Sequence, residues 1–324
     1  MDESFAPVSE RWSVHSAVAA NDEELLDMFL KVFGHEMPIA QWQWKYANTP
    51  MRGMLLRRGN TAVAFFGGMP RAVHGPSGKL AAVQNGDVMV LPSERGVFSR
   101  NGALHHVASA FFQKMVGISQ PYAFAFGFPN GRHFKLGTKL GLYVPAGRMT
   151  TLTWSALEPV AQRWITTSTL GQHDLHALEN LWIKMRLSWP RHFIPVRDAI
   201  RWKARFASHP VHNYELLLVR RRWTGKPLCA MALREHAGHI EWLDYVGPSQ
   251  LVPLAAGAVR RFAGGRNNKP VAAMFSETIV SSFSLDSASS TPSDIYIPVN
   301  AWPAEEARPY IGHLWLMGGD TDFL

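Results

Sequence analysis

The feature that most constrains this fold is a repeat, in which the second half of the chain echoes the first at an offset of about 160 residues. The segment Trp44–Pro50 is matched by the segment Trp202–Pro210. In both halves, apolar residues at helical spacing precede the matched segment, and short apolar runs separated by turn residues follow it. The repeat predicts two domains of similar architecture, residues 1–150 and 151–324.

In the first half, a strand, a loop and a helix follow one another in an order that is typical of ligand sites. The strand Asp87–Leu91 leads into a loop with two arginines and then into a helix predicted from the apolar stripe Leu104–Met115. A second apolar strand, Tyr122–Phe128, comes next, so the two strands are predicted to be parallel neighbours. We expect an anion at the helix N-terminus, although a plain turn with surface arginines is the alternative interpretation.

The formal net charge of +8 favours anionic partners without choosing among them. The chain has no run of five or six basic residues, and its densest basic cluster, Arg220–Arg222, is interpreted as the solvated end of a strand. Nucleic acid is therefore disfavoured as a partner. The single cysteine, Cys229, lies in an apolar run and is interpreted as a buried hydrophobic residue, not as a nucleophile.

The N-terminus and the distribution of apolar residues predict a cytoplasmic protein with no membrane partner. Residues Met1–Ser4 are acidic where a signal peptide would be basic, and no uninterrupted apolar stretch of about 18 residues occurs. The histidines and acids of His173–Glu179 sit on a predicted capping turn and helix without further ligands, so no metal cofactor is expected. Oligomeric state is not predicted.

The first half resembles the Gcn5-related N-acetyltransferase (GNAT) superfamily over about residues 10–145. The resemblance rests on Asp87–Pro92 as a fourth strand, on the arginine and glycine loop before the stripe helix, and on Gly127–Asn130 followed by Leu140–Tyr143. It implies an α+β fold class with tandem GNAT-like acyl-CoA N-acyltransferase domains. Each domain is then a mixed, mostly antiparallel sheet flanked by helices.

In that superfamily, the fourth strand contacts the pantetheine arm of acyl-CoA, and the loop after it holds the pyrophosphate. The resemblance therefore implies that Met89 and Val90 lie along the pantetheine and that Asn130 lies near its thiol end. It also implies that the stretch Arg95–Ala103 surrounds the phosphates through Arg95, Gly96, Ser99, Arg100, Asn101, Gly102 and Ala103. This loop is longer than the family pattern, Arg/Gln-x-x-Gly-x-Gly/Ala.

Acyl transfer to an amine needs a neutral nucleophile, a polarised thioester carbonyl and a proton for the departing thiolate. Asp87 is the candidate base because its strand lines the reacting end, and a purely structural polar residue is the alternative interpretation. Glu94 and His133 are further candidates. The family's general-acid tyrosine falls on a glycine here, which leaves Tyr143 or Tyr122 for that role.

The resemblance implies an acyl-CoA-dependent N-acyltransferase, with acetyl favoured as the group moved from acetyl-CoA, or from another acyl-CoA, to an amine. A primary amine of a small molecule or peptide attacks directly. The second domain keeps the helix but lacks the loop, because Pro248 nearly adjoins Leu251, so we predict that it binds no CoA. The alternatives are a Fem-like transferase that uses aminoacyl-tRNA and a non-catalytic acyl-CoA-binding module.

Overall fold

The structure is a computed structural model that describes residues 11–46, 49, 51–96, 99–281, 288–300, 302 and 304–321. The chain forms two compact units, each assembled from three segments. Unit 1 comprises Met1–Ala72, Leu80–Ala146 and Ile295–Ile311. Unit 2 comprises Val73–Lys79, Gly147–Asp294 and Gly312–Leu324. Each unit therefore includes a short segment that is distant in sequence from its main body.

Most of unit 1 follows the order strand, two helices, three strands, helix, strand, helix. Its elements are β1 (Ser13–Ala17), α1 (Asp22–Phe33), α2 (Ile39–Lys45), β2 (Gly53–Arg58), β3 (Thr61–Gly75), β4 (Gly78–Val90), α3 (Ala103–Met115), β5 (Phe124–Gly127) and α4 (Gly131–Lys139). The strands lie in the order β1-β2-β3-β4-β5. β1, β2 and β3 pair antiparallel, whereas β4 and β5 pair parallel, as the crossover through α3 predicted.

Alternation along the strands of unit 1 divides its core between the two faces of the sheet. On β2, Met54 and Leu56 pack with α3, whereas Leu55 packs with α1 and α2. On β3, Phe66 and Phe65 divide in the same way. This period of two buries both faces of the sheet, one under α3 and the other under α1 and α2.

Unit 2 repeats this order with three additional strands. Its elements are β6 (Val144–Trp154), β7 (Ile165–Thr169), α5 (Leu175–Ser188), β8 (Ile194–Pro195), α6 (Ala199–Trp202), β9 (Glu215–Arg221), β10 (Pro227–Glu235), β11 (Ile240–Val246), α7 (Val252–Gly264), β12 (Val271–Ser276), α8 (Glu277–Val280) and β13 (Ser289–Asn300). The strands lie in the order β6-β12-β11-β10-β9-β7. β11 and β12 pair parallel, as β4 and β5 do in unit 1.

Strand β13 is shared between the units, since Ser289–Asp294 belongs to unit 2 and Ile295–Asn300 to unit 1. In unit 1, Val299 pairs antiparallel with Phe126 of β5. The Tyr296 ring stacks on Phe134 of α4, with ring centroids 4.5 Å apart. The C-terminal segment thus completes the edge of unit 1 next to β5.

Two features outside the site agree with the expectations from sequence. Cys229 is buried on β10, and burial raises the pKa of its thiol to about 12, so the thiolate is not available at neutral pH. Arg220–Arg222 lies at the end of β9, as predicted. Among the helices that the structure describes, none is both long and apolar enough to cross a bilayer.

Candidate active site

The carboxyl ends of the parallel strands β4 and β5 separate in unit 1. Their ladder runs from Ala82 opposite Phe124 to Asn85 opposite Gly127. Beyond Asn85, β4 continues to Val90, whereas the chain after Gly127 turns into α4. Ligands of sheets with parallel strands collect at such carboxyl ends. The backbone edge of β4 beyond Asn85 is therefore the part of unit 1 best placed to meet an extended ligand.

The side chains of Met89 and Val90 support this strand from opposite faces. Met89 is fully buried in the cluster with α1 and α2, and Val90 packs against the cluster with α3. A ligand along the strand would consequently meet backbone groups at these two positions. Their assignment to a pantetheine arm stays a prediction.

The loop between β4 and α3 leads to an open helix N-terminus. Gly102 caps α3 in an extended conformation, and its amide donates to the Ser99 carbonyl oxygen over 3.0 Å. No side chain caps the first turn of α3, and none in that turn is acidic, within the residues that the structure describes. The amides that begin at Ala103 are thus left to attract an anion. Two residues of the predicted phosphate stretch, Val97 and Phe98, lie outside the described residues.

Two exposed arginines flank this helix end. Arg95 follows a short 3-10 turn and donates from Nε to the Val90 carbonyl oxygen over 2.8 Å, which ties the loop to the end of β4. Gly96 has φ +100°, a conformation that favours glycine. Arg100 lies near the end of α4, because a Cβ at Gly141 would be 3.8 Å from its Nη2. The loop therefore carries two exposed cations between the end of β4 and the start of α3.

Two histidines that the sequence analysis did not single out occupy the first turn of α3. Desolvation, followed by the charges of His106 and Arg100, lowers the pKa of His105. Desolvation also lowers the pKa of His106. Both rings are consequently neutral at pH 7 and add hydrogen-bonding capacity without charge. Their position next to the N-cap could have been predicted from the apolar stripe Leu104–Met115, because the stripe places these two histidines directly after the loop.

Asp87, the candidate base, is held in a buried ion pair. Its carboxylate accepts from Lys45 Nζ over 2.7 Å and from the Tyr46 hydroxyl over 2.9 Å. The two charged side chains are 2% and 5% exposed. Asp87 also has φ +50°, so its backbone turns at the point where β4 leaves β5. A carboxylate with these partners anchors α2 to β4, and a role as a base stays a prediction.

Unit 2 contains the same kind of anchor without the arginine loop. Asp244 lies on β11, the strand that corresponds to β4, and accepts from Arg197 Nε over 2.7 Å and from Trp202 Nε1 over 2.8 Å. As in unit 1, one partner comes from the second helix after the first strand of the unit. This arrangement is present in unit 2, where the arginine loop is missing, so it does not depend on the loop. It therefore favours the interpretation of Asp87 as a residue that stabilises the fold.

The Glu94 carboxylate is also paired with positively charged side chains. Its buried carboxylate contacts Arg58 and accepts from Arg11 Nη2 over 2.8 Å and from Trp12 Nε1 over 3.2 Å. These contacts fix the start of the loop to β2 and to the two residues just before β1. The geometry assigns Glu94 to the support of the loop.

Tyr143 and His133 form a largely buried pair beside α4. The Tyr143 hydroxyl lies 3.1 Å from His133 Nε2, and the two rings are stacked with centroids 5.9 Å apart. Desolvation lowers the pKa of His133 and raises the pKa of Tyr143. Both groups are consequently neutral at pH 7, and the tautomer of His133 decides which of them donates the hydrogen bond that joins them.

Gly137 explains how Tyr143 reaches this position. A Cβ at residue 137 would lie 2.1 Å from Tyr143 Cδ2, so the tyrosine ring occupies the space of the missing side chain. The position that carries the general-acid tyrosine in the GNAT resemblance is thus filled by a ring from the chain after α4. Tyr122, the other candidate, lies just before the amino end of β5, whereas the candidate site lies at the carboxyl end of that strand.

Substitution of Gly137 by Ala is expected to lower the free energy of unfolding by about 1–3 kcal/mol, because the added methyl group overlaps the Tyr143 ring. Chemical denaturation of both proteins measures this difference. The matched control is Gly238→Ala, because a Cβ there has nothing within 4 Å and the backbone φ is not positive. Equal unfolding energies for Gly137→Ala and the wild type would contradict the packing described here.

Asn130, carried over from the resemblance, caps α4. Its side-chain oxygen accepts from the His133 amide over 2.9 Å, and its extended backbone marks the helix start. Asn130 therefore orients the turn that carries His133, while its predicted proximity to a thiol stays a prediction. In the described parts of the chain, no three His, Cys, Asp or Glu side chains are grouped to hold a metal ion.

Comparison with family models and curated protein sequences gives no match. Solved structures, in contrast, match most of the chain. A conserved protein from Enterococcus faecalis V583, described as a probable N-acyltransferase, has a TM-score of 0.71 and 11% identity over 91% of this chain and 74% of its own. A GCN5-related N-acetyltransferase from Anabaena variabilis ATCC 29413 has a TM-score of 0.67 and 13% identity over 92% and 74%.

A third match is the N-myristoyltransferase of Saccharomyces cerevisiae, solved with bound myristoyl-CoA and inhibitors. Its TM-score is 0.58 at 10% identity, and the match covers 91% of this chain and 80% of that one. The chain has the GCN5-related N-acetyltransferase fold. Because each match covers at least 91% of the chain, the shared GNAT architecture includes both units. The tandem GNAT-like α+β fold predicted from the sequence is confirmed.

Proposed function

We propose that the protein is an acyl-CoA-dependent N-acyltransferase whose site lies in unit 1. The observation that carries this proposal is that β4 separates from β5 and then leads, through the arginine loop, to the open N-terminus of α3. An extended polar arm can pair with the edge of a strand, and a pyrophosphate suits helix amides flanked by arginines. The GNAT and N-myristoyltransferase folds of the structural neighbours support the same assignment.

The residues of this site fit the chemistry of CoA. The amides from Ala103 onward, with Arg95 and Arg100, offer donors and positive charge for the phosphates, and β4 from Asp87 to Val90 offers backbone groups for the pantetheine. The bound thioester supplies the acyl group and a thiolate as leaving group. In unit 2, β11 and α7 are joined by Gly247–Leu251 without such a loop, so we assign CoA binding to unit 1 alone.

Proton transfer is assigned to Tyr143 with His133. In the tautomer with a proton on Nε2, His133 donates to the Tyr143 oxygen and leaves the tyrosine hydroxyl proton for the departing sulfur. The Tyr143 O–H bond then breaks as an S–H bond forms, and the histidine hydrogen bond stabilises the charge on the tyrosine oxygen. The proton that the attacking nitrogen loses as the amide forms returns through solvent to the tyrosine oxygen, which restores the hydroxyl group. The acceptor is a primary amine of a small molecule or peptide, which attacks the thioester carbonyl directly.

Acetyl is the proposed acyl group, and the comparison with the yeast enzyme suggests myristoyl as the alternative. Measuring CoA release with acetyl-CoA and myristoyl-CoA over one amine panel compares them directly. Preference for myristoyl-CoA would overturn the choice of acetyl and keep the reaction class. Binding of acyl-CoA without transfer to any amine would identify a binding module. Transfer from aminoacyl-tRNA alone would identify a Fem-like enzyme.

Asn101→Asp is expected to weaken CoA binding by about tenfold, because an isosteric carboxylate before the N-cap repels the phosphates. The same charge suits the helix dipole, so the melting temperature should hold or rise slightly. Isothermal titration of CoA measures the affinity.

The matched control for this variant is Gln250→Glu, which adds the same charge one residue before the N-cap of α7 in unit 2. We expect it to leave the affinity for CoA unchanged. Equal losses from both variants would mean that CoA does not bind at α3. No CoA binding by the wild-type protein would refute the proposed function.

A further inference from the structure

An exposed patch of aromatic and basic residues lies on unit 2, far in sequence from the residues assigned to acyl transfer. We define the Trp164–Trp223 patch as Val160, Arg163, Trp164, Arg221, Arg222, Trp223 and Lys226. Trp164 is 63% exposed, Trp223 74% and Val160 55%. Indole rings are ordinarily among the more buried side chains of a protein, and a group of exposed apolar residues marks an interaction surface.

Hydrogen bonds hold the two halves of this patch together. β7 is the last strand in the order of unit 2, and its first residue, Ile165, pairs with Arg221 of β9. The Arg222 amide donates to the Trp164 carbonyl oxygen over 3.0 Å, and Arg222 Nη2 donates to the Gln162 carbonyl oxygen over 2.8 Å. Trp164 and Trp223 are therefore presented from two adjacent backbone segments that are fixed to each other.

The turn between β9 and β10 is similarly fixed. The Arg221 amide donates to the Lys226 carbonyl oxygen, and the Gly225 amide donates back to the Arg221 carbonyl oxygen, each over 2.9 Å. Gly225 has φ +65°, which suits a tight hairpin turn. Trp223 thus stands on a rigid turn, so its exposure is a property of the folded unit.

The cations of the patch have no carboxylate partners among the residues that the structure describes. Arg163, Arg221, Arg222 and Lys226 are all exposed, and none of the four lies within ion-pair distance of a carboxylate in the described ranges. Elsewhere on unit 2, by contrast, Arg266 pairs with Glu215 and Glu235. Four cations around two exposed indoles create a surface that complements an anionic one.

We propose that the Trp164–Trp223 patch docks the protein on an anionic lipid surface. Indole rings lodge at the boundary between headgroups and acyl chains, and clustered Lys and Arg bind anionic headgroups. The Arg163 guanidinium lies 4.9 Å above the Trp164 ring and covers a face on which a nucleic-acid base would stack. The aliphatic Val160 also suits lipid better than nucleic acid. Surface binding of this kind needs no spanning helix, so it departs from the expectation of no membrane partner.

Co-sedimentation with vesicles tests this proposal. Wild-type protein is expected to bind vesicles of phosphatidylcholine with about 30% phosphatidylserine, to bind pure phosphatidylcholine at least tenfold more weakly, and to dissociate as salt is raised. Trp164→Ser with Trp223→Ser should lower the bound fraction about tenfold, and Arg221→Glu with Lys226→Glu should do the same. All four side chains are exposed, so unchanged melting temperatures check that the variants fold.

The matched controls lie on α5, where Leu187 is 72% exposed and Lys184 is also exposed. Leu187→Ser and Lys184→Glu are expected to keep full binding. No binding of the wild type to anionic vesicles, or equal losses from the α5 variants, would overturn the proposal. Tighter binding of single-stranded RNA that the patch variants abolish would assign the surface to nucleic acid instead. A dimer in sedimentation velocity that the same variants dissolve would assign it to a second copy of the chain.

Discussion

Replacement of Tyr143 by Phe is expected to lower kcat about a hundredfold while the affinity for CoA stays unchanged, because the variant keeps the ring beside Gly137 and removes only the hydroxyl group. Steady-state kinetics with acetyl-CoA and the best amine of the panel measure kcat. Titration of CoA measures binding separately.

His133→Gln supplies the companion measurement. Burial lowers the pKa of His133, so the wild-type ring is neutral at pH 7 and is protonated on Nδ1 only below the ordinary value of 6.5. The imidazolium still donates from Nε2, and its positive charge stabilises the tyrosine oxyanion, so the ratio of wild-type to variant kcat should rise as the pH falls below 6.5. Full kcat for Tyr143→Phe with normal CoA binding would refute the assignment of proton transfer and leave CoA binding intact.

Asp87→Asn is expected to lower the free energy of unfolding by about 3 kcal/mol, because it leaves the Lys45 ammonium buried without its counter-charge. Chemical denaturation gives this value. The activity of the folded variant, measured well below its unfolding transition, should stay within a few-fold of the wild type, because the Asp87 carboxylate is already bound to Lys45 and Tyr46. The loss of function then follows the loss of folded protein.

Asp244→Asn is the matched variant, because Asp244 holds Arg197 and Trp202 in unit 2 in a similar way. We expect a smaller destabilisation from Asp244→Asn, because Arg197 keeps Asp320 as a second carboxylate partner. A hundredfold fall in kcat for fully folded Asp87→Asn, absent from Asp244→Asn, would assign Asp87 as the base. Asp87→Asn combined with Lys45→Met should recover most of the stability, because it removes both buried charges and keeps at position 87 a residue that tolerates a φ of +50°.

The order of elements could be predicted from the sequence because each depends on local periodicity. The stripe Leu104–Met115 predicted α3, which spans Ala103–Met115, and Tyr122–Phe128 predicted β5, which spans Phe124–Gly127. The parallel pairing of β4 and β5 followed from the handedness of crossovers. The loop before α3 was identified because glycine and arginine are informative at a helix N-terminus.

The partners of the candidate residues could not be predicted, because they come from distant parts of the chain. Nothing near Asp87 in sequence indicates that Lys45 will neutralise it, and the choice depends on how α2 packs on the sheet. The contact of Tyr143 with His133 similarly depends on the space at Gly137, which is visible only once α4 and the following chain are folded. Periodicity predicts which face of a helix or strand a residue occupies, but it does not predict which charged side chain that residue will contact.

Strand β13 has a consequence for protein synthesis. The Tyr296 amide donates to the Pro129 carbonyl oxygen over 2.9 Å, and Asn300 Nδ2 donates to the Leu142 carbonyl oxygen, so the last part of the chain brackets α4 and the residue before Tyr143. A ribosome reaches Asn300 roughly 10–30 s after it has passed Ala146. Until then, the nascent unit 1 has its loop and its helix but lacks the strand that fixes α4. The proposed site is therefore completed only after the ribosome has passed Asn300, more than 150 residues beyond α4.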